Sequence, residues 1–322
     1  MEQRQLGTSG IEIPAIGFGC GGNARLMVED DDELRLETIA LAIESGINYF
    51  DTAAAYGDGR SEVNLGKALR ALDAHPVIST KVVLQSEDLG DARSAVLRNF
   101  DEGLARIGVD SVDALMLHNR VFSKPEGSYA VGAQLSLEDM FAQNGVVSAF
   151  QELLAAGRTK TVGFTAYGGE AAAIEEMIDS GVFGAMNASF NFLNPSALVK
   201  VPDGFPGANY GAVIARAAAA GMGVMAIQVL ARGELTGSGP KEGYDAKLAS
   251  AALAYDDSLS GVATRYVLSK PEISTVILGL SEPAHVRDAL AALQKGPLGA
   301  AESAALEQLA LAAPAKASAR AV

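Results

Sequence analysis

Ile47-Asn48-Tyr49-Phe50-Asp51-Thr52-Ala53-Ala54-Ala55-Tyr56-Gly57 decides how this chain is read. Its first part is a short, largely apolar run that reads as a β-strand, and its second is a small-residue loop carrying an aspartate and a tyrosine. The same order recurs further on, where Val77 to Thr80 leads into Lys81 and Ala114 to Leu117 leads into His118. If those strands are neighbours in one parallel sheet, a carboxylate, a phenol, an ammonium and an imidazole converge at its carboxyl edge. Such a set is a proton-transfer device.

Working outward, short β-branched runs alternate with Ala/Leu/Glu-rich segments of helical spacing, without a break in composition. Strands are expected at 15–19, 47–50, 77–80, 112–117, 160–164, 184–189, 223–227 and 275–278. Helices are expected near 33–44, 61–72, 91–106, 138–156, 170–180, 210–220, 261–269 and 283–293. Eight βα units without an antiparallel signal predict an α/β fold, a closed (β/α)8 TIM barrel over about 14–293, in one domain spanning 1–322. Residues 6–13 read as a hairpin ahead of the barrel, with Ser9-Gly10 in its turn. Two loops, 120–137 after strand four and 231–260 after strand seven, exceed what a barrel needs, and long carboxyl-face loops carry function. The Ala-rich end, 300–322, starts as a helix and is expected to fray after Pro314.

The formal net charge of −14 over 322 residues argues against nucleic acid as a partner. The acidic run Glu29-Asp30-Asp31-Asp32-Glu33 suits a solvated helix N-terminus. Cys20 is the single cysteine, so no intramolecular disulfide forms, and His75, His118 and His285 are spaced too widely for a local zinc motif. A polar start, Met1-Glu2-Gln3-Arg4-Gln5, and the lack of a membrane-length apolar run lead us to expect a cytoplasmic protein without membrane association. Gly17-Phe18-Gly19-Cys20-Gly21-Gly22 has the spacing of a dinucleotide-binding fingerprint. However, Asn23 to Asp32 separates it from the next helix, and Asp51 falls 29 residues after Gly22. These glycines are expected instead to bring backbone close under a ligand at the barrel mouth.

Phe50 to Gly57, followed by Gly59-Arg60-Ser61-Glu62, Leu65-Gly66 and Ala68-Leu69, resembles the aldo-keto reductase superfamily. So do Ser79-Thr80-Lys81, Asp113-Ala114-Leu115-Met116-Leu117-His118, Gly157-Arg158 with Lys160 and Val162-Gly163, and Leu230-Ala231-Arg232-Gly233-Glu234-Leu235-Thr236-Gly237. The matches run in order from Leu6 to Leu293. The resemblance implies a barrel that moves hydride between a nicotinamide cofactor and a carbonyl or alcohol. It implies Tyr56 as general acid or base, Lys81 as the cation that lowers its pKa, Asp51 as the anchor of Lys81, and His118 as the donor orienting the substrate oxygen.

The resemblance also implies cofactor contacts at Gly21, Thr52, Thr165, Asn187, Gln228, Leu230, Gly279, Ser281, His285 and Asp288. Several depart from the family pattern. Ala166 stands where an amide is expected after Thr165, Asn187 replaces a glutamine, and Ile227 replaces a stacking aromatic. His285 occupies the position where NADP-preferring members carry an arginine, and Ala289 that of an asparagine. NADP is the cofactor the family implies, with NAD a second possibility because the bidentate grip on a 2′-phosphate is missing. Val121, Phe122, Tyr129 and the Tyr244 region are candidate walls of the substrate pocket, or else pack loop against barrel. Two other classes compete: a dinucleotide-binding sensor or regulatory barrel with little turnover, and a Schiff-base lyase with Lys81 as nucleophile. The sequence leaves the natural substrate, reaction direction and oligomeric state open.

Overall fold

The computed structural model describes residues 1–313 apart from Ser238, Lys241 and Asp257. The expected fraying after Pro314 lies outside the described residues. The barrel strands are β1 (Ile16–Gly19), β2 (Tyr49–Asp51), β3 (Val77–Val82), β4 (Val112–Leu117), β5 (Thr159–Thr165), β6 (Ala185–Ser189), β7 (Gly223–Ile227) and β8 (Thr275–Gly279). They pair in chain order, all parallel, and β8 closes on β1. The protein is a (β/α)8 barrel, as the alternation of patterns predicts.

Helices α1 (Asp32–Glu44), α2 (Arg60–Ala71) and α3 (Ala92–Ile107) follow the first three strands. Asp31 caps α1 through Leu34 N–H, and the acidic run around it is exposed. The single helix expected over 138–156 is instead two, α4 (Leu137–Phe141) and α5 (Val146–Ala155). Ser136 and Asp139 form a reciprocal cap on α4, while Gly145 is extended at the start of α5. A Cβ on Gly145 would lie 2.7 Å from the Asp139 carbonyl, so the break depends on glycine. Then come α6 (Ala171–Asp179), α7 (Val213–Ala219), α8 (Gly243–Ala252), α9 (Leu259–Leu268), α10 (Pro283–Lys295) and α11 (Ala300–Leu311). Helix α8 lies within what reads from sequence as a loop, because the Gly and Pro residues before it obscure a short alanine-rich helix. It is tied to α11 by the Tyr244 hydroxyl, which donates to the Leu309 carbonyl at 2.6 Å.

The hairpin pairs Gln3–Gln5 with Glu12–Pro14, and Ser9 and Gly10 (φ +75°) shape its turn. It plugs the amino end of the barrel. Leu6, Ile11 and Ile13 pack with Tyr49, Met116, Ala185, Met225 and Ile277 in a cluster of their own, separate from the larger core between strands and helices. Tyr49, Met116, Ala185 and Ile277 come from β2, β4, β6 and β8, the layer from alternate strands that fills such barrels. Gly17 and Gly19 serve this interior. A Cβ on Gly17 would meet the Tyr49 ring at 2.6 Å, and one on Gly19 would meet Ile277 at 2.9 Å. For Gly17 the expectation of lying under a ligand is therefore corrected, whereas Gly19, paired with Asp51 and Gly279, and Gly21, beside the Tyr56 ring, lie at the level of the mouth.

Gly66 marks the closest contact of α2 with α3, where an added Cβ would fall 1.8 Å from the Ile107 carbonyl oxygen. Gly66→Ala should therefore destabilise the fold despite alanine's better helix propensity, by about 2 kcal/mol. A urea midpoint that is unchanged or higher would contradict this packing.

Candidate active site

Side chains alternate along a strand, so the residue two positions beyond an inward one also faces inward, one layer higher. Above Tyr49, Met116 and Ala185 stand Asp51, His118 and Asn187. This next layer is polar, and Lys81 joins it from β3. Lys81 Nζ donates to Asp51 Oδ2 at 2.6 Å, to the Thr52 carbonyl at 2.8 Å and to the Tyr56 hydroxyl at 3.2 Å. Asp51 Oδ1 accepts from Ser79 Oγ at 3.2 Å and from Asn187 Nδ2, across the barrel, at 3.4 Å. The loop after β2 brings Tyr56 back over the sheet, its ring edge-on to His118 with centroids 5.6 Å apart. Thus the four residues singled out from sequence meet at one place.

The surroundings fix this geometry. Buried Asn119 accepts from Leu84 N–H and donates to the Leu84 and Ala133 carbonyls, which locks the backbone next to His118. The Tyr129 hydroxyl donates to the His118 carbonyl at 2.9 Å. The Thr52 hydroxyl is buried against Ser61 at 2.8 Å, and its carbonyl accepts from Lys81. Tyr244, expected either at the pocket wall or packing loop against barrel, joins α8 to α11 through its hydroxyl. Val121 is buried and pairs in a short parallel ladder with Leu135, packing the loop against the barrel.

Electrostatics follow from burial. Burial alone disfavours the Lys81 ammonium, but Asp51, with help from Tyr56, outweighs it and raises the pKa, so Lys81 stays charged. For Tyr56, burial pushes the phenol pKa up and the Lys81 charge pulls it back, leaving it above its ordinary value. Lys81 does lower it, through its charge and its hydrogen bond, but burial, with the nearby Asp51 carboxylate, outweighs that lowering. Burial, reinforced by Lys81, drives His118 down to about 3, so its imidazole is neutral near pH 7.

Several buried polar atoms at this face have no hydrogen-bond partner among the described residues. They include His118 Nδ1, Thr165 Oγ1 and Asn187 Oδ1, all buried and all at the carboxyl ends of β4, β5 and β6. A hydroxyl and an amide oxygen side by side suit the amino and carbonyl groups of a carboxamide. The other expected cofactor positions are spread around the same face. Gln228, at φ +55°, accepts from Ser189 Oγ at 3.0 Å through its side chain, while its carbonyl accepts from Asn191. Leu230 follows it in the same loop, Gly21 lies beside the Tyr56 ring, and Gly279 and Ser281 form the turn into α10. The Ser281 N–H donates to His285 Nδ1 at 3.3 Å, and Asp288 is exposed on α10.

The model of the Aldo/keto reductase family matches residues 15–311. This chain belongs to the aldo/keto reductase family. It is 29% identical over 311 residues to L-galactose dehydrogenase of Arabidopsis thaliana, covering 91% of this chain and 88% of that one. It is 30% identical over 196 residues to pyridoxal 4-dehydrogenase of Microbacterium luteolum, covering 50% and 54% respectively. In three dimensions it resembles the holo form of an aldo-keto reductase from Bacillus halodurans, with TM-score 0.74, 22% identity and 99% and 98% of the two chains aligned. The protein is therefore an oxidoreductase of this family, whose members generally use NAD(P)H on small carbonyl compounds.

Sequence reading missed a group of residues around the mouth: Arg120, Tyr167, Ser189, Asn191, Tyr210 and Arg232. Arg120 had one available signal, its place two residues after His118. Arg232 had its place in the 230–237 stretch, and the others come together only through contacts between loops.

His118 gives a pH test. Its pKa is about 6.5 unfolded and about 3 folded, so the unfolded chain takes up a proton first as the medium is acidified. The stabilising contribution is complete above pH 6.5 and is lost as pH falls towards 3. His118→Gln should flatten the dependence of unfolding free energy on pH between those limits by up to about 1.4 kcal/mol per pH unit. Identical slopes in urea titrations of both proteins would show that the imidazole is not held neutral.

Proposed function

We propose that this protein is an NAD(P)-dependent oxidoreductase that moves a hydride between nicotinamide and an aldehyde, ketone or sugar. The observation that carries this reading is the Lys81 ammonium, held by Asp51 and placed 3.2 Å from the Tyr56 hydroxyl. When bound, the nicotinamide supplies or accepts the hydride. Thr165 Oγ1 and Asn187 Oδ1 are available to hold its carboxamide, and the turn around Gly279 and Ser281 to hold phosphate.

Tyr56 is the general acid in reduction and the base in oxidation. Its raised pKa keeps the proton in place until negative charge develops on the substrate oxygen. Lys81 offsets the tyrosinate charge once that proton has moved, and Asp51 keeps Lys81 protonated and fixed. Neutral His118 donates a hydrogen bond to the same oxygen and aligns it with Tyr56. Similarity to L-galactose dehydrogenase over most of both chains supports sugars among the substrates. NADP is the cofactor we assign first. NAD is the second reading, supported by His285 in place of an arginine, with Nδ1 engaged by Ser281 and Nε2 3.7 Å from Glu282. Calorimetric titration with NADPH and NADH separates the two.

Tyr56→Phe should lower turnover on aldehydes and sugars by about a thousandfold while leaving cofactor affinity nearly intact, since the phenol acts in the transition state. Near-wild-type turnover in this variant would rule out the mechanism. Tight cofactor binding by the unaltered protein without turnover of any carbonyl would leave a sensor or regulatory barrel.

A further inference from the structure

Two arginines meet at the barrel mouth, without an acidic partner among the described residues. Arg120 lies on the loop after β4, with its guanidinium carbon 4.4 Å from the Tyr129 ring centroid and 5.2 Å from that of Tyr167. Arg232, on the loop after β7, lies 5.5 Å from the same Tyr167 ring and donates to the Tyr167 hydroxyl. Among the described residues, neither arginine has a carboxylate within ion-pairing distance, as is also true of Arg60, Arg70 and Arg287, whereas Arg35, Arg106, Arg158, Arg216 and Arg265 are paired. In a chain of net charge −14 this pairing of cations is conspicuous. Arg120 Nε is buried without a hydrogen-bond partner among the described residues. Ring faces offset part of the cation's desolvation but accept none of its in-plane N–H groups.

The slot that holds Arg120 is built for it. Gly168, at φ +75°, presents bare backbone to the guanidinium, and a Cβ there would lie 2.6 Å from Arg120 Nε. Tyr129 covers the guanidinium and its hydroxyl donates to the His118 carbonyl, so one side chain touches both Arg120 and the backbone of His118. Arg232 is held at φ +58° beside Ala231 at φ +47°, a left-handed pair of non-glycine residues that aims its side chain towards Tyr167. The turn around Gly279 and Ser281 follows β8, which stands opposite β4 in the closed barrel. Phosphate held there is on the far side from Arg120.

We infer that Arg120, assisted by Arg232, forms an anion clamp for the substrate, and that the preferred substrates are carbonyl compounds carrying a carboxylate or phosphate at the end remote from the reacting carbon. A carboxylate would accept in parallel from Arg120 Nε and one terminal nitrogen, which supplies the missing partner. This inference rests on the oxidoreductase reading for its kinetic consequence, but the anion site itself does not.

The test compares succinic semialdehyde with butyraldehyde, and separately titrates the cofactor-free protein with succinate by calorimetry. Wild type should favour the acidic aldehyde in kcat/KM by about tenfold or more, the scale of a charge-assisted hydrogen-bond pair. Arg120→Met should bring that ratio close to one, mainly through KM, and remove succinate binding, with Arg120→Lys recovering only part. Arg232→Met should weaken succinate binding, which keeps the test decisive if Arg120→Met does not fold. A wild-type ratio near one without succinate binding would overturn the clamp. So would an Arg120→Met variant that loses cofactor affinity with the ratio unmoved, which would assign the arginine to a cofactor phosphate. Succinate binding that depends on Arg120, in a protein that turns over no carbonyl, would support the clamp and count against the oxidoreductase reading alone.

Discussion

A lysine ammonium with 1% of its side chain exposed governs this molecule. Removing a charge from water costs several kcal/mol, and only close, well-directed partners offset it. Lys81, on β3, has Asp51 from the end of β2 and the Thr52 carbonyl and Tyr56 hydroxyl from the loop that follows it. Satisfying that one cation ties the end of β2 to β3 and folds the following loop back over the barrel. The phenol is thereby fixed beside a positive charge that water cannot screen. The pair is poor evidence for stability as such, since buried ion pairs are often matched by apolar replacements. Its consequence is geometric.

The barrel interior makes such a site possible. Tyr49, Met116, Ala185 and Ile277 fill the layer beneath it, and the hairpin residues Leu6, Ile11 and Ile13 close the far end. Water is excluded from below, and the same alternate strands present Asp51, His118 and Asn187 one step higher. The electrostatics at that level are coupled. Lys81 remains charged because of Asp51, and it in turn helps burial to keep His118 neutral, while burial keeps Tyr56 protonated. A neutral imidazole and a protonated phenol facing one point are both hydrogen-bond donors, which suits an oxygen that gains negative charge.

Around this centre the mouth is built from separate loops with different bonding. The loop after β4 contributes Asn119, which ties backbone to backbone, and Arg120, which stacks on aromatic rings. Left-handed non-glycine residues at Gln228, Ala231 and Arg232 concentrate after β7. Strain of that kind persists where surrounding contacts over-determine the backbone, as at ligand sites. The apolar layer and the polar layer above it thus come from the barrel strands, while the charge at the mouth comes from the loops.

Strand and helix order, the hairpin and the four converging residues were legible in the sequence, because period-2 and period-3.6 patterning and the strand-end position of Asp51, Lys81 and His118 are local properties. The break at Gly145 and helix α8 were not, since each depends on what packs against it. For the same reason Gly17 could be mistaken for a ligand-side glycine until Tyr49 was seen to fill the space it leaves. The sequence by itself determined which polar groups would reach the carboxyl edge. Only the tertiary structure decided their protonation and their neighbours, because a pKa is set by burial and by charges distant in sequence. The same holds for the meeting of Arg120 and Arg232, 112 positions apart, over one tyrosine ring.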